Sequence, residues 1–167
     1  MAESYYKVAK IEGKDLIGCV ANLDIKIGSL ILKEKIQFNP RKSENNSDWN
    51  YRKNIVDSFF SMNEHDQEEY LKLGNTFSNE NQLEHNLKIN LKGPGVEELK
   101  KAYQKRNFEF ADIYSHKFQR NSKLILEILC IFHSNAIERN GDAFIAFKAS
   151  RFNHSCRSGF FNHLGFF

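Results

Sequence analysis

Arg151-Phe152-Asn153-His154-Ser155-Cys156, near the end of a chain of 167 residues, sets a guanidinium, an aromatic ring, a primary amide, an imidazole, a hydroxyl and a thiol in six consecutive positions. The Asn153 amide both donates and accepts hydrogen bonds, and His154 can do either through two distinct ring nitrogens. Such a run suits the capture of a small polar ligand. Taken without its neighbours, His154 is better read as a satisfied core histidine. Cys156 shares a face with His154 in an extended segment. A thiol nucleophile also needs an orienting third group and an oxyanion donor, which the sequence does not identify, so thiol catalysis is not expected.

Working outward, a chain of this length fits one domain and can bury roughly 70% of its unfolded surface, enough for a core without staples. The 24 Lys and Arg against 21 Asp and Glu leave a net charge of +3, with the basic residues scattered along the chain. That balance gives no electrostatic case for nucleic acid. Cys19, Cys130 and Cys156 lie far apart, with no CxxC pair to suggest a disulfide framework or a closed zinc site. A reducing, intracellular compartment is the expectation, nucleus or cytoplasm. The opening MAESYYKVAKIEGKD lacks the apolar centre of a secretory signal, and the longest apolar cluster, Leu124 to Phe132, is broken by Glu127. No membrane association is expected.

Hydrophobic patterning predicts strands at both ends and helices between. Tyr6 to Ile11, Ile17 to Ala21 and Leu30 to Ile36 are short runs rich in β-branched residues, punctuated by Gly13, Gly18 and Gly28. Asp24 to Gly28 reads as a turn in which Gly28 takes positive φ. After the polar connection from Pro40, the three- and four-residue spacing of Ile55, Val56, Phe59, Phe60 and Met62 predicts a helix from about Asp48 to Met62. A second helix is predicted over His65 to Leu73, ended by Gly74. Residues 75–95, with five Asn and Gly93-Pro94-Gly95, read as a loop. Helix returns from Val96 to about Phe110, and a longer, most buried helix from about Tyr114 to Phe132 carries Phe118, Ile125, Ile128, Leu129 and Phe132 on one stripe. Asn140-Gly141 suits a tight hairpin leading into the alternation Phe144-Ile145-Ala146-Phe147. Without an alternating β-α-β pattern, the class predicted is α+β.

Three blocks then occur in order: Ile11-Glu12-Gly13-Lys14-Asp15-Leu16-Ile17-Gly18 leading into Asn22 to Ile31, Ser134-Asn135-Ala136-Ile137-Glu138, and Ser150 to Cys156. Together they resemble the signature of SET-domain protein methyltransferases, in particular those in which a helical insert splits the domain, as in the SET-and-MYND group and its fungal relatives. The resemblance covers nearly the whole chain, with 40–120 matched in character only. It implies an α+β SET-like arrangement of short strands (a β-clip) around a helical insert, C-terminally incomplete. The expected layout is one domain over 1–167: strands in 1–39, a mostly helical insert in 40–132, the C-terminal motif in 133–157 and a divergent apolar tail in 158–167. No MYND-type zinc cluster is present.

The resemblance implies S-adenosylmethionine as cofactor and a protein substrate offering a lysine side chain. It assigns donor binding to Gly13, Lys14, Leu16, Gly18, Asn135, Asn153 and His154. Glycines let backbone approach such a ligand closely, and Asn side chains match an amino-acid moiety or an adenine edge. Asn135 reads equally as a residue capping the end of a helix. The family pattern places its catalytic Tyr on a strand after the Asn-His-Ser-Cys block, whereas every tyrosine here, at 5, 6, 51, 70, 103 and 114, precedes it. Zinc in post-SET relatives uses cysteines downstream of this one, and none follows Cys156. The expectation is therefore no catalytic residue and no metal within these residues, weak or no donor binding and no turnover. The alternative is a noncatalytic SET remnant serving as a protein-interaction module.

Overall fold

The computed structural model describes residues 5–10, 17–40, 47–74, 96–139 and 142–152. Among them, β1 (Tyr6–Lys10) and β2 (Ile17–Ala21) form an antiparallel pair in the register Tyr6↔Ala21 to Lys10↔Ile17. Helices α1 (Asp48–Ser61), α2 (Glu64–Leu71), α3 (Val96–Phe118) and α4 (Ser122–Asn135) follow. The short hairpin β3 (Ile137–Arg139) and β4 (Asp142–Phe144) and a 3-10 turn over Ala149–Arg151 complete the order. The mixed α and β content agrees with the class expected from sequence.

Most of the core is helical. Ile125, Ile128, Leu129, Ile131 and Phe132 of α4 are buried and join Ile55, Val56 and Phe59 of α1, Tyr70 of α2, and Phe110 and Tyr114 of α3. Phe38 enters the same cluster and meets Tyr70 and Phe132 at ring-centroid distances of 5.0 and 5.7 Å. Its backbone pairs with Ile145, Phe38 N to Ile145 O at 3.1 Å and Ile145 N to Phe38 O at 2.8 Å. This bridge fastens the N-terminal segment to the C-terminal one across the helices.

Local chemistry explains the helix starts. Ser47 Oγ accepts from Asn50 N at 3.2 Å to cap α1, and Asn63 Oδ1 accepts from Asp66 N at 2.9 Å to cap α2. In α1, Arg52 lies on the buried face with Ile55, Val56 and Phe59. Its Nε donates to Asn107 Oδ1 at 2.7 Å, and its Nη1 meets the Asp48 carbonyl at 3.1 Å and carboxylate at 2.5 Å. A buried cation survives only with such partners. The Tyr70 hydroxyl, likewise buried, donates to the Ile128 carbonyl at 2.8 Å.

Several expectations are corrected. No strand runs from Leu30 to Ile36, because among the described residues no neighbouring strand offers it a ladder; the segment is attached through the Glu34 and Gln37 side chains and the Phe38 bridge. The helix expected from Tyr114 to Phe132 is two helices, since α3 continues to Phe118 and the chain breaks at Gln119 (φ 52°). Phe118 therefore ends α3 and does not belong to the α4 stripe. Helix α2 begins and stops earlier than expected and ends on Lys72 in right-handed geometry, so Gly74 is not its left-handed cap. The strand after the hairpin turn ends at Phe144, and Phe144 to Phe147 are buried consecutively without alternation. Gly28 does take positive φ, 86°. The loop read over 75–95, the Asn140-Gly141 turn and the Phe-rich tail lie outside the described residues.

Asn121 Oδ1 accepts from Lys123 N at 2.9 Å and Leu124 N at 3.2 Å, satisfying two amides at the start of α4. Asn121→Ala is expected to lower folding stability by about 1 kcal/mol, read from urea unfolding followed by circular dichroism.

Candidate functional site

The stretch leading to Asn153 is held from three sides. Its 3-10 turn, Ala149–Arg151, is closed by Arg151 N to Lys148 O and Phe152 N to Ala149 O, each 3.0 Å. On one side Phe152 packs edge-on against Tyr6 of β1, with ring centroids 4.8 Å apart. On the second, Ser150 Oγ donates to the Asn135 carbonyl at 3.1 Å, tying the turn to the end of α4. On the third, Glu34 accepts from Lys148 N and Ala149 N, and Gln37 Oε1 accepts from Phe147 N at 3.1 Å.

Of the seven residues singled out for donor binding, Gly18 and Asn135 are described; Gly13, Lys14, Leu16, Asn153 and His154 lie outside the described residues. Gly18 is buried in β2 opposite Ala9. Asn135 is the last residue of α4. Its Nδ2 donates to Gly74 O at 2.6 Å and Ile131 O at 2.8 Å. The C-cap of the helix is Ala136 rather than Asn135, whose amide hydrogens bond a carbonyl of the last turn and one of the segment after α2. A primary amide has two N–H donors. With both engaged, its Oδ1 is the atom with which Asn135 can meet a ligand, as an acceptor for an N–H or O–H group.

The electrostatics around the turn are those of a partly desolvated surface. Burial pushes the Cys19 thiol up, opposed by the charge of Arg151. Burial likewise raises the Tyr6 phenol, with Cys19 and Glu34 acting in the same direction. Neither group is activated as a nucleophile, because a raised pKa keeps it protonated at neutral pH. Among the described residues, no group of three or more His, Cys, Asp or Glu is placed to hold a metal ion.

Glu34 and Gln37 were not foreseen as site residues. The signal was present: both interrupt the apolar run Leu30 to Phe38 and lie three positions apart, and Gln37 Nε2 donates to Glu34 Oε1 at 3.2 Å. A separate open recess of about 210 Å³ lies between α1 and α3, lined by Asp48, Trp49, Arg52, Arg106 and Phe110 among others. Neither Gly18 nor Asn135 borders it.

No family model matches this chain, and no curated protein or solved structure matches it.

Proposed function

We propose that these residues form the donor-binding part of a SET-type protein-lysine methyltransferase, with S-adenosylmethionine as the ligand. The observation that carries the reading is the convergence on the Ala149–Phe152 turn. Phe152 meets the hairpin that bears the first sequence block, and Ser150 meets Asn135 of the second, directly ahead of Asn153 and His154 of the third. Blocks far apart in sequence are thereby joined through their described flanks. On this reading, Gly13, Lys14, Leu16 and Gly18 line one side of the donor, and Asn135, Asn153 and His154 the other.

The donor supplies an electrophilic methyl group on a sulfonium, which a deprotonated lysine amine takes by in-line displacement. The protein's share of such a reaction is positioning and electrostatics. Asn135 Oδ1 would accept from an N–H of the ligand, a polarity that fits both an α-ammonium and an exocyclic adenine amine. The tyrosine that the resemblance assigns to catalysis is not among these 167 residues, where the last tyrosine is Tyr114. Donor binding without turnover is therefore the function proposed for them.

A titration with S-adenosylmethionine followed by amide NMR tests this. The expected result is saturable shifts at Gly18, Asn135 and Phe152, with a weak Kd of about 0.1–1 mM, or roughly −5.5 to −4.1 kcal/mol. No shifts at millimolar donor would sink the reading.

A noncatalytic interaction module is the second reading. It is favoured by Ile27 and Leu30, 96% and 67% exposed, beside the partly exposed Ile31 on the segment after β2. Grouped apolar exposure of this kind marks interaction surfaces. Absence of donor shifts would leave this reading standing.

A further inference from the structure

We infer that the turn after β2 is a docking tip for an anionic lipid surface, with Ile27 as its apolar point and Lys26, Lys33 and Lys35 as a basic collar. Ser29 N donates to Lys26 O at 3.1 Å, closing a four-residue turn in which Gly28 takes φ 86° and Ile27 keeps a negative φ. Positive φ at the third residue alone is type II geometry, which glycine adopts without strain. The turn carries Ile27 outward, 96% exposed, and no atom lies within 4 Å of where a Cβ on Gly28 would stand. Leu30 and Ile31 are exposed directly behind it. From Ile31 to Ile36 exposure alternates: Ile31, Lys33 and Lys35 are exposed, while Leu32, Glu34 and Ile36 are half-buried. The Glu34 carboxylate is held by Lys148 N and Ala149 N, and the two lysines beside it share the outward side with Ile31. Lys26 is exposed too, and among the described residues none of the three lysines forms an ion pair. Asp24 is the one exposed carboxylate between Asn22 and Ile36.

The mixture of residue types selects the partner. Burying Ile27, Leu30 and Ile31 is favourable in any apolar medium. Lysine, however, is depleted from the cores of protein–protein interfaces. At a bilayer the same lysine is favoured, because its stem lies along apolar surface while its ammonium stays among the phosphates, where anionic headgroups attract it. Three unpaired lysines set around an apolar point match that environment better than a protein pocket. The absence of membrane association expected from sequence rested on the lack of a spanning segment. No described helix is long and apolar enough to cross a membrane, and a contact that dips one turn into the headgroup layer needs none. The inference holds whether or not the donor binds, since none of the residues assigned to the donor lies in this tip.

Co-sedimentation of the protein with vesicles of phosphatidylcholine, and of phosphatidylcholine mixed with phosphatidylserine, tests the tip. Partitioning onto the mixed vesicles is expected to exceed that onto the neutral ones at least about tenfold and to fall as salt is raised. Ile27→Asp, at a position exposed enough to leave the fold intact, should lower the partition coefficient at least about tenfold. Lys26→Gln, Lys33→Gln and Lys35→Gln combined should lower it about a hundredfold, at roughly fivefold for each lysine. Phe108→Ala removes an exposed ring from α3 and should partition like the parent. No partitioning onto phosphatidylserine vesicles would overturn the inference, as would equal partitioning onto neutral ones. So would undiminished binding by Ile27→Asp or by the lysine variant. A parent that ignores vesicles but dimerises in sedimentation velocity, with Ile27→Asp monomeric, would assign the tip to a protein contact instead and overturn the inference as well.

Discussion

Acidification from pH 7 to pH 4 is expected to remove about 2–3 kcal/mol of folding stability through His133 alone. His133 sits in the last turn of α4, its ring edge-on to Phe132 at 5.5 Å. Burial pushes its imidazole down to about 4, and the nearby Arg52 charge pushes the same way, against a smaller opposing effect of Asp48. In the unfolded chain the same group titrates near its ordinary value of about 6.5. Between those values the unfolded state holds the extra proton. The contribution is therefore complete above about pH 6.5 and is lost as pH falls toward 4. Urea unfolding at pH 7, 5.5 and 4, with His133→Phe beside the unmodified protein, measures it. The variant should lose less stability on acidification, and identical losses in both proteins would refute the assignment.

Phe132→Ala is expected to cost about 3–5 kcal/mol, comparable with the whole stability of many domains. The ring is almost wholly buried and meets Phe38 from the N-terminal segment and Tyr51 from α1 at 5.7 and 6.2 Å. Removing it opens a cavity where α1, α4 and the Phe38 bridge come together, and helices fixed by several other contacts can collapse into it only in part. The midpoint of thermal unfolding should fall by roughly 6–20 °C. Phe108→Ala on the exposed side of α3, where the ring is 58% exposed, should stay within about 0.5 kcal/mol of the parent. A Phe132→Ala cost below about 1 kcal/mol would mean that the core is not organised around α4.

The helices were legible wherever the apolar spacing was long and regular. Ile125, Ile128, Leu129 and Phe132 read as the buried stripe of the central helix, and all four are core residues. The break before that helix was missed because Phe118 and Ile125 lie seven apart, so the apolar period runs straight across it. The sign of the break was Asn121, whose side chain accepts from Lys123 N and Leu124 N and so starts the second helix. Leu30 to Ile36 was misread for a different reason. β-Branched composition favours a strand only where a partner strand exists, and that is a property of the tertiary fold. For the site, sequence supplied residue types and order but could not supply proximity. The contacts of Phe152 with Tyr6 and of Ser150 with Asn135 appear only on folding, and Glu34 drew no notice because a polar break in an apolar run does not say which distant amides it caps.

The bond from Asn135 to the Gly74 carbonyl has a mechanical consequence. It spans 61 positions of sequence and latches the exit of α2 to the tip of α4, at the point where the described chain passes into residues 75–95. A strain on Gly74 is therefore carried by one amide directly into the end of the most buried helix.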